Sequence, residues 1–308
     1  MSIAATAKIA LPVDFAVAAD MPDVLPPVRV QRGLWGLVRR YPMAALGAFL
    51  LLLIFVLAVF APYLATVDPS AITMSRRTRT PSAANWFGTD MNGRDIYSRV
   101  LYGARISLIV GFTVAFAASL AGLTIGLVSG FIRSLDGVIM RIMDGLMSIP
   151  PILLAISLMA LTRASVGNVI LSITIAEIPR VSRLIRGVVL SVREQPYVDA
   201  AITTGTSTPR IIVRHILPNT LAPLIVQATY ICASAMLTEA ILSFIGAGTP
   251  PAIAPSWGNI MAEGRALWQV KPFIVFFPAI FLSLTVLAVN LVGDGLRDAL
   301  DPRASTRP

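Results

Sequence analysis

Two carboxylates, Glu177 and Glu239, stand within or at the ends of long apolar runs, where a charge costs about 2.5 to 3.5 kcal/mol on insertion scales. Something must offset that cost. Arg180, Arg183 and Arg186 follow Glu177 at intervals of three, so Arg180, one helical turn on, is a local partner for it. Glu239 lies near the end of its run, where structural anchoring is the favoured role. Other reactive side chains are scarce. One histidine, His215, cannot assemble a multi-histidine metal site, and one cysteine, Cys232, can make no intrachain disulfide. The lysines are Lys8 and Lys271, neither followed by Ser or Thr, so no phosphate loop ending in Gly-Lys-Ser/Thr is present. The chain is expected to bind no cofactor or metal and to carry no catalytic group.

A different pattern points to a partner. Between Ser191 and Pro218 the sequence turns polar, and Tyr197-Val198-Asp199-Ala200-Ala201-Ile202-Thr203-Thr204-Gly205 reads as a short helix with its stop. Gln195-Pro196 is a helix start, Asp199 in the first turn favours the helix dipole, and Gly205 can take the left-handed conformation that ends a helix. Thr206-Ser207-Thr208-Pro209 offers cap and first-turn residues for a second short helix, which Pro218 closes. Ala200 and Ala201 beside one acidic residue make a surface that a groove on another protein can approach closely. An ordinary solvated loop is the alternative.

The elements around this island are membrane spans. Of 308 residues 56% are apolar and 13% charged, against about a quarter charged in soluble domains. A span needs about 20 mostly apolar residues, and the expected six are Tyr41 to Val67, Ile106 to Ile132, Gly145 to Thr162, about Ala164 to Leu190, Asn219 to Thr238 and Phe273 to Gly293. The fourth is uncharged only to Ala176. Its later charges form a drifting stripe that meets water or protein rather than lipid. In the second, Ala118, Gly122, Gly126 and Gly130 repeat every four residues, a packing face for another helix. Pro150-Pro151 should kink or break the third, either lining a transport path or merely starting a helix.

The fold class expected is all-α and polytopic, with both termini in the cytoplasm, because Arg29, Arg32, Arg39 and Arg40 precede the first span. The net charge of +9 is distributed at span ends, as topology and anionic lipid require, which argues against nucleic acid as a partner. Arg76 to Arg105 hold most of the outer charges, expected on an external amphipathic segment folded onto the second span. The division expected is a mobile cytoplasmic tail (1–34), a first span with an external segment (35–104), a five-span core (105–300) containing the cytoplasmic segment 191–218, and a short cytoplasmic tail (301–308).

Asp199-Ala200-Ala201, Gly205 and Ile216-Leu217-Pro218 resemble the Glu-Ala-Ala...Gly...Leu-Pro signature of ABC-importer permeases, the loop that docks on the ATP-hydrolysing subunit. Phe87-Gly88-Thr89-Asp90 with Gly93-Arg94-Asp95, Tyr102-Gly103-Ala104-Arg105, Arg214-His215-Ile216-Leu217-Pro218-Asn219, Leu242-Ser243-Phe244-Ile245-Gly246, Pro255-Ser256-Trp257-Gly258 and Gly293-Asp294-Gly295-Leu296-Arg297-Asp298 are similar to the second, shorter permease subunit of the dipeptide, oligopeptide and nickel branch. The resemblance spans roughly residues 35 to 303. It departs in Asp199, where the family usually has Glu, and in His215, as is common in the peptide branch.

The resemblance implies a type I ABC-importer permease fold in a bacterial plasma membrane and a subunit that is not itself an enzyme. Its implied partners are a homologous permease subunit in a heterodimer, two cytoplasmic ATPases that use the ATP, an external solute-binding protein and membrane lipid. The ATPase-coupling residues would be Asp199, Ala200, Ala201, Gly205, Ile216, Leu217 and Pro218. Peptide is the implied cargo, with nickel chelates or another small solute behind it. An ion-coupled secondary transporter or a scaffold protein explains these motifs less well. Glu177, Pro150 and Pro151 are then candidates for the substrate path, Glu177 either as a structural partner of Arg180 or as a contact to a peptide amino group. Glu239 resembles a structural acidic position of the family.

Overall fold

A computed structural model describes residues 34–251 and 254–300. Most of the expected tails, 1–34 and 301–308, lie outside them. Helix α1 (Leu34–Arg40) belongs to a unit that ends at Arg40, and the remaining elements form a second unit beginning at Tyr41. All regular elements among the described residues are helical, apart from one isolated bridge between Thr89 and Asp95.

In the second unit α2 (Pro42–Val59) leads through the short α3 (Ala61–Leu64) and a loop to α4 (Ile96–Phe131). Then come α5 (Arg133–Met147), α6 (Pro151–Ala160), α7 (Val166–Arg193), α8 (Pro196–Thr203), α9 (Thr208–Ile211), a π turn (Ile212–Ile216), α10 (Leu217–Ile245), α11 (Trp257–Gly264) and α12 (Phe273–Leu300). Four stretches are long and apolar enough to cross a membrane: Pro42–Val59, Ile96–Phe131, Thr208–Ile245 and Phe273–Leu300. Helices α5 and α6 pass the same test only as a pair, bent by 85°.

The core is the packing of α4 on α7. A Cβ on Gly126 would lie 2.7 Å from Ile185 Cβ and 2.8 Å from the Ser182 carbonyl, and one on Gly130 would lie 2.7 Å from Val189 Cβ. Gly122 is pressed in the same way on Val181. The small-residue stripe therefore does what its spacing implies: missing side chains let two backbones approach.

Two boundaries differ from expectation, and a third falls where the prolines predict a break. Helix α4 begins ten residues before Ile106, because Asp95 caps it by accepting from the Ser98 N–H at 2.9 Å, and Arg99 in its first turn is ion-paired with Asp90 and Glu263. At 36 residues it is about 54 Å long, more than the roughly 30 Å of hydrocarbon. The third apolar run is broken where the prolines stand: α5 stops at Met147, and Pro150 and Pro151 occupy the cap and first position of α6. Pro218 ends nothing. It lies in the first turn of α10, within a helical run that continues from the π turn before it.

Helix α7 is continuous although too polar to pass as a span, because its charges are met within the protein. Arg186 donates to both Asp136 oxygens at 2.5 and 2.6 Å, and Arg183 to Asp144 at 2.5 Å, joining α7 to α5. Arg193 donates to the carbonyls of Gly130 and Phe131 at the end of α4.

Candidate functional site

The island is ordered by backbone chemistry. Pro196 opens α8, Asp199 lies in its first turn, and Val198 and Ala201 are turned inward and buried. At the other end the Gly205 N–H donates to Ile202 O at 3.0 Å and the Thr206 N–H to Ala201 O at 3.0 Å, the paired bonds of a Schellman cap. Gly205 has φ +77°, and nothing lies within 4 Å of where its Cβ would be. The requirement for glycine here is conformational, not steric.

Beyond the cap, Ser207 starts α9, and a five-residue π turn carries the chain into α10 without a break. Ile211 and Ile216 are buried beneath this turn. The Tyr197 ring lies 6.1 Å from that of His215, and Asn219 Nδ2 donates to the His215 carbonyl at 2.6 Å. The island is thus braced on both flanks, by α7 before it and by the first turn of α10 after it. Of the residues expected to meet a partner, Asp199, Ala200 and Pro218 are exposed and Leu217 is half-buried. Ile216 and Ala201 face inward and support the shape.

Glu177 lies between α7 and α10, 3% exposed. Its Oε1 accepts from Ser234 Oγ at 3.3 Å, and its Oε2 faces Arg180 Nη1 at 3.6 Å, an ion pair too long for a hydrogen bond. Pro150 and Pro151 sit at the α5–α6 break, remote in sequence from that pair. Glu239 is fully buried on α10 and accepts from Ser243 Oγ at 2.8 Å.

At the opposite end from α8 is a charged cluster to which sequence reasoning assigned no role. Asp90 Oδ2 accepts from Arg94 Nε at 2.8 Å and Arg99 Nη1 at 2.5 Å, and Glu263 Oε2 accepts from Arg94 Nη2 at 2.7 Å and Arg99 Nη1 at 2.5 Å. Burial works against the charge of Arg94, but the hydrogen bond to Glu263 and the charges of Asp90 and Glu263 outweigh it and hold its pKa above the ordinary arginine value. Around the cluster, Asn85 Nδ2 donates to Asp95 Oδ1 at 2.9 Å, and Trp257 Nε1 donates to the Val100 carbonyl at 3.0 Å. The segment before Ile96 is a hydrogen-bonded loop folded onto the start of α4. The paired motifs around Asp90 and Arg94 were visible in the sequence, but Glu263, 164 residues from Arg99, was not.

Comparison with known proteins bears on the whole chain. Residues 104–306 match the family described as binding-protein-dependent transport system inner membrane component, and residues 33–83 match the N-terminal TM domain of oligopeptide transport permease C. The chain is 52% identical over 271 residues to a Sinorhizobium fredii protein named "Probable peptide ABC transporter permease protein", covering 88% of this chain and 92% of that one. It is 42% identical over 267 residues to a dipeptide transport system permease protein of Alkalihalophilus pseudofirmus, covering 86% and 88%. In structure it is similar to a chain of the MetNI methionine ABC transporter in an inward-facing conformation, with a TM-score of 0.54 at 21% identity, over 67% of this chain and 98% of that one.

Proposed function

The chain belongs to the family of binding-protein-dependent transport system inner membrane components, and from that premise we propose that it forms one half of the translocation path of a peptide importer. It is an inner-membrane ABC permease subunit. Peptide is the cargo because relatives spanning most of the chain are named as peptide and dipeptide permeases. The chain crosses six times, through α2, α4, the α5–α6 pair, α7, α10 and α12, with both termini cytoplasmic. A homologous permease subunit completes the path, an external binding protein delivers the solute, and two separate ATPases hydrolyse ATP.

One observation carries this reading: α8 is a capped, braced helix presented at one end of the bundle between two long helices. A groove on an ATPase closing over Asp199 and Ala200 would push a rigid element, and the push would pass to α7 and α10 together. Such a subunit converts closure beneath it into a shift between inward-open and outward-open states.

The test uses the full complex in vesicles. The wild-type complex is expected to co-purify with an ATPase pair and to take up peptide on ATP, with or without a proton or sodium gradient. Gly205→Val cannot easily adopt the φ of the cap, and Ala200→Trp fills the exposed face, so either should lower uptake at least tenfold while ATP hydrolysis persists. Wild-type uptake by both variants would refute docking through α8. Uptake driven by an ion gradient alone would refute the importer reading.

A further inference from the structure

The motif Gly293-Asp294-Gly295-Leu296-Arg297-Asp298 closes α12, and docking through α8 gives it no task. Two of its residues are packing devices. Gly293 presses on the Thr229 side chain of α10, and Gly295 on Ala44 of α2, so α12 is held against both. Asp294 Oδ1 accepts from Tyr230 Oη at 2.9 Å.

Arg297 lines a cavity of about 720 Å³, bounded by α7, α10 and α12 and reaching Pro218 at the end of the island. Its polar lining is Asn219, Gln227 and Arg297, and its apolar lining includes Leu184, Ala222 and Val226. The volume falls within the roughly 300 to 1,000 Å³ of small-molecule sites. A planar guanidinium suits a carboxylate, and two amide side chains match the donors and acceptors of peptide bonds. Apolar walls accept side chains of any identity. Together these groups address what every peptide shares and nothing that distinguishes one peptide from another.

We propose that this cavity is the inner vestibule of the path, and that Arg297 receives the C-terminal carboxylate of the peptide before release. The proposal rests on the peptide-importer reading above. It deepens that reading by naming a subsite and the group it binds.

Uptake of trialanine and of its C-terminal amide is measured in vesicles bearing the full complex. Each rate is divided by the wild-type rate for the same peptide, so the preference of the binding protein cancels. Arg297→Gln is expected to lower the trialanine ratio at least tenfold and to leave the amide ratio and ATP hydrolysis near wild type, with Arg297→Lys intermediate. Equal losses for both peptides, or no loss for trialanine, would overturn the assignment. A second measurement omits the binding protein: trialanine offered from the inner face should protect a Gln227→Cys side chain, with Cys232 replaced by Ala, from a thiol reagent. Protection should vanish in Arg297→Gln, and protection that persists would overturn the subsite. If the wild-type complex takes up neither peptide on ATP, the importer reading itself falls, an outcome distinct from normal wild-type uptake with equal ratios.

Discussion

A single carboxylate at membrane depth shows how neighbours decide a residue's role. Glu177 is 3% exposed and shares its two oxygens between Ser234 on α10 and Arg180 on its own helix. So little surface supports a role in the α7–α10 contact over one in binding a solute. Glu177→Gln is therefore expected to leave uptake of cationic and neutral peptides in the wild-type ratio, because the amide can still accept from Ser234. Selective loss of the cationic peptide in a competition assay would instead place the carboxylate on the path. Asp199, one methylene shorter than the glutamate that the resembling family usually has, keeps a negative charge at an exposed site in the first turn of α8, as the proposed docking requires.

Helices α4 and α7 behave as one element. Backbones brought together by Gly122, Gly126 and Gly130 leave no room for a side chain, and Arg193, Arg186 and Arg183 extend the contact to the end of α4 and to α5. The push proposed for α8 would therefore reach α4 and α5 through α7, besides α10. Overpacking a tight contact costs about 1 to 3 kcal/mol. Gly126→Leu should fall at or beyond the upper end, since a bare Cβ already meets Ile185 at 2.7 Å. Thermal unfolding of the solubilised protein checks this: a lower melting temperature for Gly126→Leu and a small change for Gly187→Leu, whose Cβ would meet nothing within 4 Å. Similar melting of the two variants would contradict the welded α4–α7 pair.

Across the whole molecule, the ends differ in construction. The end bearing α8 is a helix cap and a π turn, shaped by local backbone bonds. The other end is a knot of charges in which Asp90, Arg94, Arg99 and Glu263 tie the loop before α4 to α11. Removing one partner from a buried ionic group costs about 3 to 5 kcal/mol because the remaining charges are stranded. Arg99→Met should therefore lower the melting temperature clearly, and adding Glu263→Met should recover part of the loss, since Asp90 and Arg94 then remain as a balanced pair. No recovery in the double variant would mean that Arg99 acts through packing alone. The sequence by itself determined what depends on neighbours along the chain. Apolar length gave the membrane class and most spans, Pro196 and Gly205 gave the bounds of α8, and a four-residue period gave the packing face of α4. Tertiary structure alone decided whatever required two distant segments to meet. Only the fold could show that Arg94 and Arg99 are met by Glu263, 164 residues from Arg99, at the start of α4, and that Arg183 and Arg186 of α7 are answered by α5, so that a polar helix runs unbroken through the bundle. Charge and length can be read from one strand of text, but the cost of a buried charge depends on what stands opposite it.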